Sequence, residues 1–246
     1  MSRVTTPAVL LRSHPYSETS RVLRFLTRDL GLVGVMAKGV RRRASLGEGA
    51  VGTYAEGTAV IAHREGRDLQ TLVEFTPTDL QMGLATDFRR LSGASVAAEL
   101  ILRHGGQEPN PCLYRALTDG LARLARSSPG DIAGEVLALC WRMVEVLGFG
   151  PELRTCTACG GGLGERDMAR FDIAGGGVVG PECRHPPGSR RVGPLARGHL
   201  DLLLRGDVPG DLRGVRAHLS LLQDFTAHHL LGGRPLASLR FLAPSA

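Results

Sequence analysis

The hydrophobic period of this chain changes once, near Asp79, and that change limits the available folds more than any other feature. Before it, apolar residues gather in short runs, Val4–Leu11, Arg21–Thr27, Leu32–Ala37, Thr53–His63 and Leu69–Phe75. Turn signals separate them: Ser13-His14-Pro15, Asp29-Leu30-Gly31, the glycine-rich 47–52 segment and Glu65-Gly66-Arg67-Asp68. Five short strands with no long helix between them predict a small closed barrel of the OB type, an architecture that commonly binds nucleic acid. After Asp79, Leu84, Phe88, Leu91, Ser95, Ala98 and Leu102 recur three or four apart, which predicts one face of a helix. Further helices are expected over 113–126, from the cap Asp131 to about 147, and over 194–204 and 212–231. The third should bury Ile132, Val136, Leu139, Met143 and Leu147 on one side. The expected fold class is therefore multidomain α+β. A barrel domain over 1–78 precedes a helical domain over 79–246, which carries a zinc-finger-like insert at 153–190.

Charge is distributed as unevenly as hydrophobicity. Residues 1–43 hold nine cations against Glu18 and Asp29 alone, an excess of seven, while the whole chain is only +6. A concentrated excess builds a local field that attracts a polyanion. Lys38, Arg41, Arg42 and Arg43 crowd one turn directly after a strand, and Arg12, Arg21 and Arg24 lie on the strands before it. Phosphate contacts are expected from these residues, with Tyr16 and Tyr54 as stacking platforms for bases. Phe25 and Phe75 lie inside apolar runs and are expected in the core. A second basic stretch, Arg184, Arg190, Arg191 and Arg197, has no acid among residues 183–200 and could extend the same path. An adaptor whose basic face holds an acidic protein tail is the competing reading.

Cys156-Thr-Ala-Cys159 followed by three glycines suits a zinc knuckle, in which the backbone curls until both thiolates face one ion. Cys183 is the expected third ligand; Gly180 occupies the place of a matching fourth, and His185 is the nearest substitute. The expected role of zinc is structural. Cys140 reads as a small buried hydrophobe. His63-Arg64-Glu65 matches the H-x-E of zinc deaminases, but it sits in a hairpin turn far from the cysteine pair, so coincidence is the better reading. No P-loop, G-x-S-x-G or H-E-x-x-H occurs in a suitable context, and no apolar run is long enough for a membrane helix. Met1 to Pro15 lacks the pattern of a secretory signal, so the expected location is the cytoplasm, with the nucleoid as its place of work.

Ala8-Val-Leu-Leu-Arg12, Ser17-Glu18-Thr19-Ser20, Phe25 to Gly31 and Ala37-Lys-Gly-Val-Arg41 together resemble the opening of the bacterial RecO family of DNA repair proteins. The likeness continues through Gly148-Phe-Gly-Pro151 and Cys156-x-x-Cys159-Gly160 to Pro235-Leu-Ala-Ser-Leu-Arg-Phe-Leu242. The resemblance implies an N-terminal OB domain, then a helical domain with an inserted zinc finger. It also implies a recombination mediator without enzymatic turnover. Such proteins bind single- and double-stranded DNA, anneal complementary strands, and with RecR load RecA onto strands covered by single-strand binding protein. Family fingers tend to carry two Cys-x-x-Cys pairs, and Gly180 departs from that pattern.

Overall fold

The computed structural model describes residues 2–38 and 52–242. Five strands, β1 (Ser2–Ser17), β2 (Ser20–Thr27), β3 (Gly31–Lys38), β4 (Glu56–His63) and β5 (Leu69–Asp79), form a closed barrel in the order β1-β2-β3-β5-β4. All pairings are antiparallel except β3 with β5, and β1 closes the ring against β4. Alternation along the strands explains the interior. Ala8, Leu10, Leu23, Phe25, Val33, Val35, Ile61, Leu72 and Phe75 point inward, and the Phe25 and Phe75 rings lie 5.0 Å apart.

Two strands run past a predicted stop. β1 continues through Ser13-His14-Pro15 to Ser17, and β5 continues through Pro77 to Asp79. Beyond Leu10, which bonds Tyr54 and Ala55, β1 pairs only with β2 among the described residues; beyond Thr71, β5 pairs only with β4 among them. A proline, which lacks the N–H for a second ladder, is tolerated where one edge is free. Register shifts at Leu10/Arg12 and Pro15/Ser17 bend this half of β1.

The helices are α1 (Phe88–His104), α2 (Pro111–Arg126), α3 (Ile132–Val146), α4 (Pro194–Arg205) and α5 (Val215–His229), with short 3-10 segments at Met82–Thr86 and Ala237–Phe241. Two compact units emerge: residues 1–88 with 98–126, and residues 89–97 with 127–246. In the first, the Tyr114 hydroxyl of α2 donates to Glu56 Oε1 at 3.0 Å, and the Leu32 N–H donates to the Gly106 carbonyl at 2.9 Å. Burial, then the neighbouring Glu56 carboxylate, pushes the Tyr114 phenol up. The apolar stripe expected along this stretch is buried only in part. Leu84 and Ala98 of that stripe are buried, but Phe88 is 64% and Leu91 39% exposed, and Ala94, Val96, Ala97, Leu100 and Ile101 outside it are buried as well. A run of small residues buries α1 on several sides, which a single-stripe reading does not capture.

The second unit is built on α3. Its expected face, Ile132, Val136, Leu139 and Met143, is buried, but so are Leu137, Ala138, Cys140, Trp141 and Val144, which makes α3 a central helix. Leu147, assigned to the same face, is half-buried just beyond the helix. Trp141 lies 5.4 Å from Phe225 of α5, and Phe225 lies 5.9 Å from Phe171. Phe171 belongs to β6 (Ala169–Asp172), the middle strand of a small sheet with β7 (Gly177–Val179) and β8 (Arg190–Val192). This sheet was not predicted; strands of three or four residues carry too little alternation to register. It anchors the cysteine-bearing loops to the core through Phe171.

Candidate functional site

Strand register sorts the N-terminal cations by face. Residues directly opposite one another share a face of the sheet. Arg12 lies opposite Arg24, and Arg24 opposite Gly34. Lys38 follows on the same face of β3, four residues and about 13 Å beyond Gly34. Arg12, Arg24 and Lys38 are all exposed, and none makes an ion pair among the described residues. Gly34 has a purpose here: a Cβ would stand 2.8 Å from Arg24 Nη1, so the bare backbone lets the guanidinium lie across β3. Sequence reading passed over Gly34, although a glycine in mid-strand signals a close approach.

Arg21 falls on the opposite face, paired in register with Pro15 and Ala37, and donates from Nε to Ser13 Oγ at 2.7 Å. Arg28 is held by Asp29 at 2.9 Å. Tyr16 is 69% exposed, as a stacking platform must be. Tyr54 corrects the expectation: it is 5% exposed, so its ring is buried. Its N–H donates to the Leu10 carbonyl, and the backbone there adopts φ +77°. Arg41, Arg42 and Arg43 lie outside the described residues.

The second basic stretch is divided. Arg190 is committed internally, to the Asp224 carboxylate and, at 3.1 Å, to Ser220 Oγ, so its charge is neutralised. Arg197 is 7% exposed and donates to the Gly164 carbonyl. Arg191 is exposed on β8, opposite Arg170, and Arg184 is also exposed.

The sulfurs of Cys156, Cys159 and Cys183 lie within 4.8 Å of one another. Local backbone bonds bring them there. Gly160 turns with φ +74° and returns its N–H to the Cys156 carbonyl at 2.8 Å; the Cys156 N–H reaches the Gly161 carbonyl at 2.8 Å. The Thr157 N–H bonds the Val178 carbonyl at 2.9 Å, tying this knuckle to β7, and the Cys183 N–H closes a second turn on the Gly180 carbonyl at 3.2 Å. The Gly180 N–H donates to Cys156 Sγ at 3.3 Å and holds that thiol below its ordinary value. Cys183 is pushed up because its proton is shared with the Cys159 and Cys156 sulfurs. His185 does not join the group; its Nε2 lies 3.1 Å from the Gly180 carbonyl. A tetrahedral ion with thiolate bonds of about 2.3 Å needs sulfurs about 3.8 Å apart, so the three fit a soft metal ion. Cys140, by contrast, is fully buried in α3, which pushes its thiol up to about 12 and leaves it inert.

Among the described residues, no helix is long and apolar enough to cross a membrane. The chain matches two family models, "Recombination protein O N terminal" over residues 1–81 and "Recombination protein O C terminal" over residues 85–240. A DNA repair protein RecO from Heliobacterium modesticaldum is 34% identical over 89% of this chain and 80% of its own length. One from Nocardioides sp. is 30% identical over 92% and 94%, and one from Frankia casuarinae 34% identical over 95% and 90%. The strands-then-helices order of the structure fits the two matches, which together span nearly the whole chain, and the chain belongs to the RecO family of DNA repair proteins.

Proposed function

We propose that the chain is a non-enzymatic recombination mediator that holds DNA on the outer face of β1, β2 and β3. The barrel, residues 1–78, is read as an OB-type nucleic-acid domain, and residues 79–246 as the helical domain. One observation carries the reading: Arg12 and Arg24 stand directly opposite each other with no acid partner among the described residues. Like charges opposed across a sheet destabilise it, and a phosphate between them removes the cost. Lys38, on the same face, and the exposed Tyr16 extend the contact, and Arg41, Arg42 and Arg43, which follow Lys38 in the sequence, are read as further phosphate contacts. Zinc on Cys156, Cys159 and Cys183 serves the fold of the insert.

The activity that follows is binding of single- and double-stranded DNA and annealing of complementary strands. With RecR, the protein would load RecA onto strands coated by single-strand binding protein, in the cytoplasm at the nucleoid. Replacing Arg12 and Arg24 together by alanine should weaken single-strand binding and flatten the log–log salt dependence by about 0.7 for each phosphate released. Annealing of strands coated with single-strand binding protein should fall in parallel. Unchanged affinity across the salt series would remove this face from the DNA path. Loss of binding to an acidic peptide, with DNA binding intact, would favour the adaptor reading instead.

A further inference from the structure

We infer that a metal ion held by Cys156, Cys159 and Cys183 takes its fourth ligand from solvent, as an exchangeable water that a small thiol displaces. The inference rests on the structural-zinc reading and adds to it what completes the coordination. A structural zinc takes four ligands, and the described residues bring three Cys, His, Asp or Glu donors into the group. Gly180 stands where the fourth would arise. Its amide already touches Cys156 Sγ, and a Cβ built on it would lie 3.9 Å from Cys156 Sγ, Cys156 Cβ and Leu163 Cγ, all ordinary contact distances. Its φ lies outside the left-handed region, so the backbone does not demand glycine there. The spacing 180-x-x-183 repeats 156-x-x-159, and both first carbonyls accept a turn bond, that of Cys156 from the Gly160 N–H and that of Gly180 from the Cys183 N–H. The frame of a four-thiolate site is thus kept and one sulfur is missing from it.

His185 does not make up the set, because its Nε2 is engaged at the Gly180 carbonyl. Solvent does reach the group: Cys159 is exposed and Cys183 half-exposed. Three thiolates on a divalent ion leave a net charge of about −1, so a bound water is only weakly acidified and stays a neutral, exchangeable ligand instead of a hydroxide nucleophile. When a thiol replaces it, the thiol proton passes to the buffer as the sulfur binds and water departs.

Cobalt(II) substitution of the full-length protein tests this. The wild type should show thiolate-to-cobalt absorption that rises by about one third on titration with β-mercaptoethanol, one sulfur added to three. Gly180→Cys should show the higher intensity from the start, ignore added thiol, and hold zinc against a competing chelator roughly a hundredfold more tightly. His185→Ala should behave as the wild type. A wild type indifferent to thiol, or a His185→Ala variant with an altered spectrum, would assign the fourth ligand to the chain and overturn the inference with the zinc reading intact. Equal zinc affinity in wild type and Gly180→Cys would also overturn it. A wild type that binds neither cobalt nor zinc would sink the zinc reading itself, and this inference with it.

Discussion

Tyr16 and Tyr54 carry the same side chain in opposite surroundings. Tyr16 is 69% exposed near the end of β1, where the strand bends and pairs only with β2 among the described residues. Tyr54 is buried ahead of β4 and sits at φ +77°, a conformation that costs most residues about 1–2 kcal/mol. That strain is maintained by burial of the ring and by the N–H bond to the Leu10 carbonyl. Tyr54→Ala should therefore lower stability by about 3 kcal/mol, read from urea melts, since it removes a buried aromatic. Tyr16→Ala should leave the melt within about 0.5 kcal/mol of wild type and weaken single-strand binding by about 1–3 kcal/mol, the worth of one stacked base. A Tyr16 variant with full affinity would confine binding to the arginines.

At the scale of elements, two packing details yield tests. The β2–β3 turn depends on Gly31, whose φ is +64° and whose Cβ would stand 2.4 Å from the Glu108 carbonyl oxygen. Gly31→Ala should cost at least about 1–2 kcal/mol in a denaturant melt, whereas Gly66→Ala, with φ +72° but open space around it, should cost only the backbone share. Between α4 and α5, His199 and His218 are both buried with rings 6.0 Å apart, and His199 Nε2 lies 3.2 Å from Asp211 Oδ1. Burial, and then His199, lowers the His218 pKa below its ordinary 6.5. The unfolded chain thus binds a proton that folded His218 refuses. Stability from this residue is present above about pH 6.5 and is lost as pH falls through the lower folded value. Unfolding midpoints of wild type should drop more steeply from about pH 7.5 to about pH 5 than those of His218→Leu; parallel curves would deny His218 that role.

These elements also mark how far the sequence could be read. The five barrel strands and helices α2 to α5 were legible because each keeps one period for a full element, and Phe25 and Phe75 fell in the core as their apolar neighbours required. Faces were harder. Whether Arg21 shares a surface with Arg24 depends on a register that bulges at Leu10/Arg12 and Pro15/Ser17 help to set, and no local pattern announces a bulge. The same limit hid the burial of Tyr54 and the Arg190–Asp224 pair, which joins residues 34 apart. Cys156 and Cys159 were readable from spacing alone; that Cys183 would come to them while His185 would not is a result of the second turn at Gly180.

For the whole molecule, charge and metal should act on separable properties. The cations of the proposed DNA face, without an ion pair among the described residues, belong to β1, β2 and β3, whose hydrogen bonds are the ladders of a closed sheet. The thiol group belongs to loops held by a handful of backbone bonds, among them Cys156 to Gly161, Leu163 to Arg154 at 2.7 Å and Cys183 to Gly180. Segments with few buried apolar contacts open locally at low cost, and an ion that ties three of their side chains raises that cost. Chelation of the metal should therefore speed hydrogen exchange at residues 156–163 and 180–183. Amides of β2 and of α3, whose side chains fill the two cores, should exchange as before. On the proposed function, which assigns the salt slope of DNA binding to the arginines of β1 and β2, that slope should survive chelation unchanged. Exchange spreading evenly through α3 would mean that the ion supports the second unit's core. A salt slope reduced by chelation would place phosphate contacts on the insert, with Arg184 and Arg191 the exposed cations to replace first.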